Sequence, residues 1–470
     1  MTPGASAFHF LHQLPPGCGI HFCGVGGSAM NGMAILLAGE GFRVTGTDPG
    51  LAVDVEERLA AAGVCTSRLQ DGSFIPPDAS LVVATAAVPR EHPELRVAER
   101  RGIPVVKYAG MLGVLMNSFT GVAVAGTHGK TTTTGLLVSA LREAKKNPGF
   151  VVGGYVPQFG AGAARGGTDV FVAEACEYDR SFLNLHPCIA IVTNVEADHL
   201  DIYENLEAII DAFIAFSAGI REGGALVYCA DDAGATRVAR AFKGRAISFG
   251  LSDGADYRAV HLSTDASGNR FDVAVGGAVI ASLDLRIPGV HNVRNALAAF
   301  AAGHLLGCDP EALAAGLSCF CGVARRFDVL GEASGVTVMD DYGHHPTEIR
   351  ALLAGVKERF PGRRVVAVFQ PHQISRTRLL FREFAAAFDD ADEVLLPDIY
   401  AARDVADDIK VTSERLAAEM AKSGTSAHYT GSLDHTADVA LSMLREGDVF
   451  VTIGAGNICE VGRTVWNRLR

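Results

Sequence analysis

The stretch Val122-Ala123-Val124-Ala125-Gly126-Thr127-His128-Gly129-Lys130-Thr131-Thr132-Thr133 constrains this chain more than any other. Four apolar residues predict a buried strand. A glycine turn follows, and Gly-Lys-Thr opens a helix predicted from Thr131 to about Lys145. A strand that enters a helix through such a turn implies a parallel α/β sheet around it. The turn's backbone N–H groups and the positive end of the helix converge on one spot, a cradle for phosphate oxygens. Lys130 adds a mobile cation for β- and γ-phosphates, and Thr131 a hydroxyl that can ligate Mg²⁺. Gly126, Thr127, His128, Gly129, Lys130, Thr131 and Thr132 are therefore the predicted triphosphate site. The turn is shorter than the usual G-x-x-x-x-G-K-[ST], because Val124 stands where the first glycine would fall.

Strand–helix restarts recur on both sides of this segment. Upstream, Cys18 to Cys23 reads as a strand. The turn Gly24-Val25-Gly26-Gly27-Ser28-Ala29 and a helix through Met30, Met33 and Leu37 follow it. Further strands are predicted at Phe42–Thr47, ending at Asp48, and at Leu81–Ala84 and Ile103–Val106. The turn with Asp48 is a weak dinucleotide fingerprint that seats a diphosphate on a helix N-terminus. That diphosphate belongs equally well to NAD or to a nucleotide sugar, so Gly24, Gly26, Gly27, Ser28 and Asp48 are candidates for either. The middle of the chain predicts strands at Val170–Ala173, Ile189–Thr193, Leu226–Cys229 and Ala246–Phe249. Alternation from Tyr257 to Leu285 around Gly268-Asn269 and Gly276-Gly277 predicts hairpins, and helices follow at Asn292–Leu306 and Pro310–Leu317. A third unit predicts strands at Val336–Met339, Val365–Phe369, Glu393–Leu396 and Val449–Ile453. For 470 residues this gives three α/β domains, expected at 1–107, 108–323 and 324–470.

Composition narrows the function classes. A net charge of −12 repels polyphosphate backbones, so nucleic acid is not an expected partner. The ten cysteines form no C-x-x-C pair, and most lie in apolar runs; they are expected to be buried, reduced thiols of a cytosolic protein. The N-terminus lacks the basic and apolar regions of a leader, and no apolar run reaches about 18 residues. A soluble cytoplasmic protein without membrane insertion is expected.

Several strand ends emit polar side chains toward the place where ligands bind in open α/β sheets. One is Glu174-Ala175-Cys176-Glu177-Tyr178-Asp179, where a carboxylate can hold Mg²⁺ beside the glycine turn. Another is Asn194-Val195-Glu196-Ala197-Asp198-His199-Leu200-Asp201, where the His199 imidazole suits Mn²⁺ or Zn²⁺ better than Mg²⁺. In the third unit, Asp340-Asp341-Tyr342-Gly343-His344-His345-Pro346 and Phe369-Gln370-Pro371-His372-Gln373-Ile374-Ser375-Arg376 follow successive strands. Histidines with arginines at one sheet edge suit a small anionic ligand whose carboxylate an Arg clamps. The His344–His345 pair has the residue type of a metal site, but no third ligand follows at a fixed spacing.

These stretches, with Pro288-Gly289-Val290-His291-Asn292-Val293-Arg294-Asn295 and Gly322-Val323-Ala324-Arg325-Arg326-Phe327, resemble the Mur ligase family along the whole chain, and most closely its alanine-adding branch. The resemblance implies an N-terminal Rossmann-like domain that binds a UDP-sugar, a central P-loop ATPase-like domain, and a C-terminal Rossmann-like domain that brings the amino acid. It implies peptidoglycan precursor synthesis, with L-alanine joined to the lactyl carboxylate of UDP-N-acetylmuramate at the expense of ATP. Lys130, Glu174, His199, Arg326 and Asp341 become catalytic candidates. Asn292, Asn295, Arg326 and Asp341 join the ATP site, and Tyr342, His344, His372 and Arg376 the amino-acid site. Thr131, Glu174 and His199 become the metal ligands, for Mg²⁺ or alternatively Mn²⁺. A monomer or homodimer is expected. Two departures stand out: Gln373 and Ile374 replace the family's Arg-Tyr, and Cys176 stands where a carboxylate is commoner.

Three rival readings share part of this pattern. A ligase attaching a recycled tripeptide to the same sugar nucleotide shares the motifs, but Tyr342-Gly343 favours the alanine branch. An NAD-dependent oxidoreductase leaves Gly126–Thr132 unexplained. A nucleotide-sensing protein needs no His344 and Arg376.

Overall fold

The structure, a computed structural model, describes residues 17–86, 88–199, 202–401 and 411–470. The predicted restarts build three sheets. The first is all parallel, in the order β3-β2-β1-β4-β5, from β1 (Gly19–Cys23), β2 (Arg43–Thr47), β3 (Cys65–Ser67), β4 (Ala79–Ala84) and β5 (Val105–Lys107). Strand order reverses at β1, so the crevice beyond β1 and β4 is this sheet's natural ligand position. Helix α1 (Ser28–Gly39) leaves the glycine turn there.

The second sheet has ten strands, β15-β14-β13-β12-β11-β10-β6-β9-β7-β8. They are β6 (Thr120–Ala125), β7 (Gly149–Val156), β8 (Ala161–Ala164), β9 (Val170–Glu174), β10 (Ile189–Val192), β11 (Ala225–Cys229), β12 (Arg245–Gly250), β13 (Tyr257–Asp265), β14 (Gly268–Val275) and β15 (Ala278–Leu285). The last three form the expected antiparallel hairpins. Central β6 is flanked by β9 and β10 in parallel. The ends of those two flanking strands therefore frame the glycine turn after β6. Helix α2 (Lys130–Glu143) starts one residue before its predicted position, and α3 (Val290–Leu305) packs beside it.

The third sheet runs β16-β17-β21-β18-β19-β20. Its strands are β16 (Asp328–Ala333), β17 (Val336–Asp341), β18 (Val365–Phe369), β19 (Glu393–Pro397), β20 (Ala427–Gly431) and β21 (Val449–Ile453). Only β16 is antiparallel. Helix α4 (Pro346–Arg359) follows β17, and the short α5 (Ile374–Leu379) follows β18.

The cores explain the grouping. Met30, Met33, Val122, Val152, Phe213 and Phe300 belong to one continuous apolar cluster that spans the first two sheets. Helix α1 packs on β7 and β8 of the second sheet, and a Cβ at Gly32 would approach the Ala163 side chain to 3.1 Å. The third sheet has its own cores on its two faces, around Phe369 and Phe384 on one and Val338 and Phe450 on the other. Each buried aromatic or aliphatic side chain there contributes about 1.5–3 kcal/mol, so this unit carries its own stability.

The thiols correct one expectation. All ten cysteines are free, but Cys65, Cys176, Cys319 and Cys321 are exposed, and only Cys18, Cys23, Cys229 and Cys308 are fully buried. Cys65 lies on the edge strand β3, and Cys176, Cys319 and Cys321 lie outside the helices and strands. Among the described residues, no helix is long and apolar enough to cross a membrane.

Candidate functional site

Backbone conformation makes the phosphate cradle. Gly126 has φ 138° and Gly129 φ 83°, a region that costs an L-residue about 1–2 kcal/mol. There is also no room for a side chain. A Cβ at Gly129 would lie 2.6 Å from Asn295 Oδ1, and one at Gly126 would overlap Thr193 Oγ1. Two residues absent from the sequence-based candidates clamp the turn from the end of β10. Asn194 Oδ1 accepts from His128 N at 2.8 Å, and Asn194 Nδ2 and Thr193 Oγ1 donate to His128 O at 3.1 and 2.6 Å. Thr-Asn directly after an apolar strand beside a P-loop was the available signal.

Lys130 is partly buried against three acceptors. Its Nζ donates to Gly126 O at 2.5 Å, Thr127 O at 3.0 Å and Glu177 Oε1 at 3.0 Å. Burial opposes its charge, but the Glu177 carboxylate outweighs burial and raises its pKa. Glu177 also lies 4.0 Å from His199 Nε2, so it stands between two predicted catalytic residues. Glu174 lies at the end of β9 and accepts from Gly153 N. Burial pushes its pKa up, opposed by Gly153, Lys130, Thr131 and Arg326. The Thr131 hydroxyl and Glu174 carboxylate together form an oxygen donor set beside the cradle, which fits a hard divalent cation. His199 has φ 52° and faces Asp198 Oδ2 at 3.8 Å.

Asn292 and Asn295, expected in the ATP site, brace the glycine turn. Asn292 Nδ2 donates to Pro288 O at 2.7 Å, and Asn295 Nδ2 to Asn292 Oδ1 at 3.0 Å. Both are buried at the start of α3, beside His291, whose pKa burial lowers to about 4.

In the first sheet Asp48 holds the glycine turn itself, its carboxylate accepting from Gly26 N at 3.0 Å and Gly50 N at 2.9 Å. Gly24 has φ 86°, and a Cβ there would lie 2.6 Å from the Thr85 side chain. Gly27 caps α1. The side chain of Ser28 and residues 200–201 lie outside the described residues.

The third unit brings its candidates to the same place. Asp341, at the end of β17, accepts from Phe327 N and Gly343 N, both at 2.7 Å. Burial nevertheless raises its pKa to about 6. Arg326 and Arg325 both sit 5.0 Å from the centre of the Tyr342 ring, and Arg326 lies 3.8 Å from Glu348. The His344 ring meets Tyr342 and His372 edge-on, and burial lowers its pKa to about 3. Arg376 donates to His372 Nδ1 at 3.4 Å and, through Nε and Nη2, to Asp198 Oδ1 at 3.3 and 3.1 Å. Asp198 belongs to the middle unit, so Arg376 ties the two units together. A small cavity lies there, lined by Asp198, His199, Gln373, Ser375, Arg376 and Leu379. Gln373 enters α5 at φ 71°, ψ 131°, a conformation L-residues rarely adopt and one that clusters at functional sites.

A second tie links the P-loop to α4. His128 Nδ1 lies 3.1 Å from Glu348 Oε1, and Thr347 Oγ1 donates to Glu196 Oε2 at 2.9 Å. Glu348 also completes the capping box of α4 with His345. The combined geometry gathers the glycine turn of the P-loop, the partly buried Lys130 ammonium, the Thr131–Glu174 oxygen pair and the Arg376 guanidinium at one junction. Such a set suits ATP-driven activation of one group and delivery of a second.

Comparison with known proteins agrees with this assembly. The chain belongs to the Mur ligase family: residues 19–120 match the model "Mur ligase family, catalytic domain", 124–303 the "Mur ligase middle domain" and 325–456 the "Mur ligase, glutamate ligase domain". Within the family it is similar to the UDP-N-acetylmuramate–L-alanine ligase of Salinibacter ruber, 41% identical over 440 residues (93% of this chain and 92% of that one). The enzyme of the same name from Geobacter sulfurreducens is 41% identical over 452 residues, 96% and 97% of the two chains. Among solved structures, the UDP-N-acetylmuramate-alanine ligase of Thermotoga maritima superposes with a TM-score of 0.82 at 28% identity, covering 96% of this chain and 99% of that one. A murein peptide ligase of Psychrobacter arcticus reaches 0.76 at 26% identity, with the same coverage.

Proposed function

We propose that the chain is an ATP-dependent ligase that joins L-alanine to the lactyl carboxylate of UDP-N-acetylmuramate, releasing ADP and phosphate. The observation that carries this reading is the junction itself, where Glu177 meets Lys130 and lies near His199, and the neighbouring Asp198 holds Arg376 of the third unit. The relatives at about 41% identity bear the same activity in their names.

A carboxylate repels an attacking amine, so it must first become a better electrophile. Transfer of the ATP γ-phosphoryl to a carboxylate oxygen forms an acyl phosphate and leaves ADP. Attack of the alanine amine then forms the amide, expels phosphate and releases a proton. Residues 126–132 hold the triphosphate, and Lys130 swings from Glu177 to the β- and γ-oxygens. Thr131 and Glu174 would hold Mg²⁺ (or Mn²⁺), which would neutralise charge on those oxygens, and Glu174 with His199 would hold a second cation. Asn292 and Asn295 support the nucleotide near the adenine, while Arg326 and Asp341 contact it from the third unit. Gly24, Gly26, Gly27, Ser28 and Asp48 form the UDP-sugar site. Tyr342, His344, His372 and Arg376 receive the amino acid, with Arg376 on its carboxylate. Closure of residues 324–470 over 108–323 shields the acyl phosphate from water. A cytoplasmic location fits all three substrates.

The murein peptide ligase likeness favours a second reading, attachment of a recycled tripeptide. Phosphate release with ATP and UDP-N-acetylmuramate decides between them. Release that requires L-alanine supports the first reading, and release that requires the tripeptide supports the second. Lys130→Ala is expected to abolish turnover while the fold persists; near-normal turnover would overturn the P-loop assignment.

A further inference from the structure

Adjacent histidines 344 and 345 lack a third metal ligand within their own segment. The fold supplies one from a different unit. His345, at the start of α4, faces His128 of the P-loop, with ring centroids 4.9 Å apart. Glu196, beyond β10, completes the group: one ligand atom from each of His128, Glu196 and His345 lies within 4.8 Å of the others. Among the described residues, His128 Nε2 and His345 Nε2 are both buried and have no hydrogen-bond partner. His128 Nε2 stands 3.6 Å from Glu196 Oε2, beyond hydrogen-bond length. Buried imidazole nitrogens are rarely left this way without a reason.

The surroundings match those of a metal centre. His128 Nδ1 meets the Glu348 carboxylate at 3.1 Å, the arrangement that fixes a ligating histidine's tautomer and aims its Nε2. Glu196 is itself held by the Thr347 hydroxyl at 2.9 Å. His345 Nδ1 accepts from Thr347 N at a long 3.3 Å. Ligation through His345 Nε2 moves its proton to Nδ1 and gives up that contact. Around a tetrahedral ion, ligand atoms about 2.0–2.1 Å from the metal lie roughly 3.3 Å from one another. The longest separation in the group therefore needs to shorten by at most about 1.5 Å.

We propose that His128, Glu196 and His345 form a site for a borderline transition-metal ion such as Zn²⁺ or Co²⁺ that bridges the middle and third units. Two imidazoles and one carboxylate, with water in the fourth position, suit such an ion and disfavour Mg²⁺. It is separate from the Thr131–Glu174 oxygen pair, which Mg²⁺ occupies in the proposed reaction. Because its ligands come from both units, the ion holds them together.

The test uses the full chain without nucleotide, in Mg²⁺-containing buffer, so it is independent of the ligase reading. Equilibrium dialysis against Zn²⁺ is expected to give one tightly held ion per chain. Co²⁺ is expected to give the intense visible absorption of a four-coordinate centre. His345→Asn keeps a side chain able to cap α4, and Glu196→Gln keeps its shape; each is expected to weaken Zn²⁺ binding at least tenfold. Small-angle scattering is expected to show compaction with Zn²⁺ in the parent and none in His345→Asn. The proposal is overturned if no Zn²⁺ is held, or if both variants bind as the parent does. It is also overturned if binding is lost instead in Cys23→Ser, which would place the ion at the Cys23–His92–Glu94 group of the first sheet, or in His199→Asn.

Discussion

Asp198 and Arg376 form an ion pair across two units that have separate cores, so breaking it should disturb docking rather than folding. The side chains are 7% and 8% exposed. Arg376 gives Asp198 Oδ1 two N–H contacts, at 3.3 and 3.1 Å. The charges beside Asp198, His199 and Arg376 above all, hold its carboxyl well below the usual range against the opposing effect of burial. Removing one partner of a buried pair costs about 3–5 kcal/mol, because the other charge is left uncompensated. Asp198→Asn keeps an acceptor but loses the charge, so its cost falls near the 1.5–3 kcal/mol of a charged hydrogen bond. At about 1.4 kcal/mol per tenfold, a loss of about 2 kcal/mol shifts docking roughly 30-fold. Asp198→Ala, at about 4 kcal/mol, shifts it nearly a thousandfold. The assay is resonance energy transfer between dyes on α2 and α4, alongside scattering and thermal melts. Both variants are expected to open, with the third unit's own melting transition unchanged. If Asp198→Ala docks within threefold of the parent, the pair does not hold the junction and the reasoning is wrong.

Other outcomes follow from the same geometry. Gly129→Ala forces an unfavourable φ, costing about 1–2 kcal/mol, and drives its methyl against Asn295. ATP affinity measured by calorimetry should fall at least tenfold, and adding Asn295→Ser should restore part of the lost melting temperature but not all. Arg376→Lys removes the planar fork, so the KM for L-alanine should rise about 10- to 100-fold while the KM for ATP stays within a few-fold. For His128, burial is outweighed by Glu348 and then Glu196, and its pKa rises from 6.5 to about 9. Its contribution is fully present below about pH 6.5 and is lost as pH rises through about 9, at most about 3 kcal/mol. Docking by energy transfer, without transition metal, should weaken from pH 7 to 10, and His128→Asn should flatten that profile.

Buried parallel strands were plain in the sequence because both faces are covered, leaving unbroken apolar runs such as Val122–Ala125 and Val365–Phe369. Strands β3, β8 and β20 lie at sheet edges and read CTS, AGAA and AHYTG. Short, small or polar segments of this kind carry no such signal, and neighbours impose their conformation. Antiparallel β16 lies at an edge and escaped for the same reason, whereas interior β7 escaped because Gly149, Gly153 and Gly154 interrupt its apolar run. At the site, the P-loop was legible because its chemistry is contiguous. Which of Glu174, Glu177 and Asp179 faces Lys130 was not, because the chain kinks there, with Asp179 at φ 53° and Arg180 at φ 54°. The meeting of His128 with Glu348, 220 residues apart, depends on how two separately cored units dock, which no local pattern encodes.

Glu177 gives Lys130 a resident anion within the fold. The ammonium of Lys130 lies 2.9 Å from that carboxylate. An arriving polyanion must therefore evict an internal tenant, and its measured grip is the surplus of one contact over another. If the proposed nucleotide site is right, replacing Glu177 with a neutral look-alike is expected to tighten the hold on ADP as well as on ATP, the acid then easing departure of the spent nucleotide.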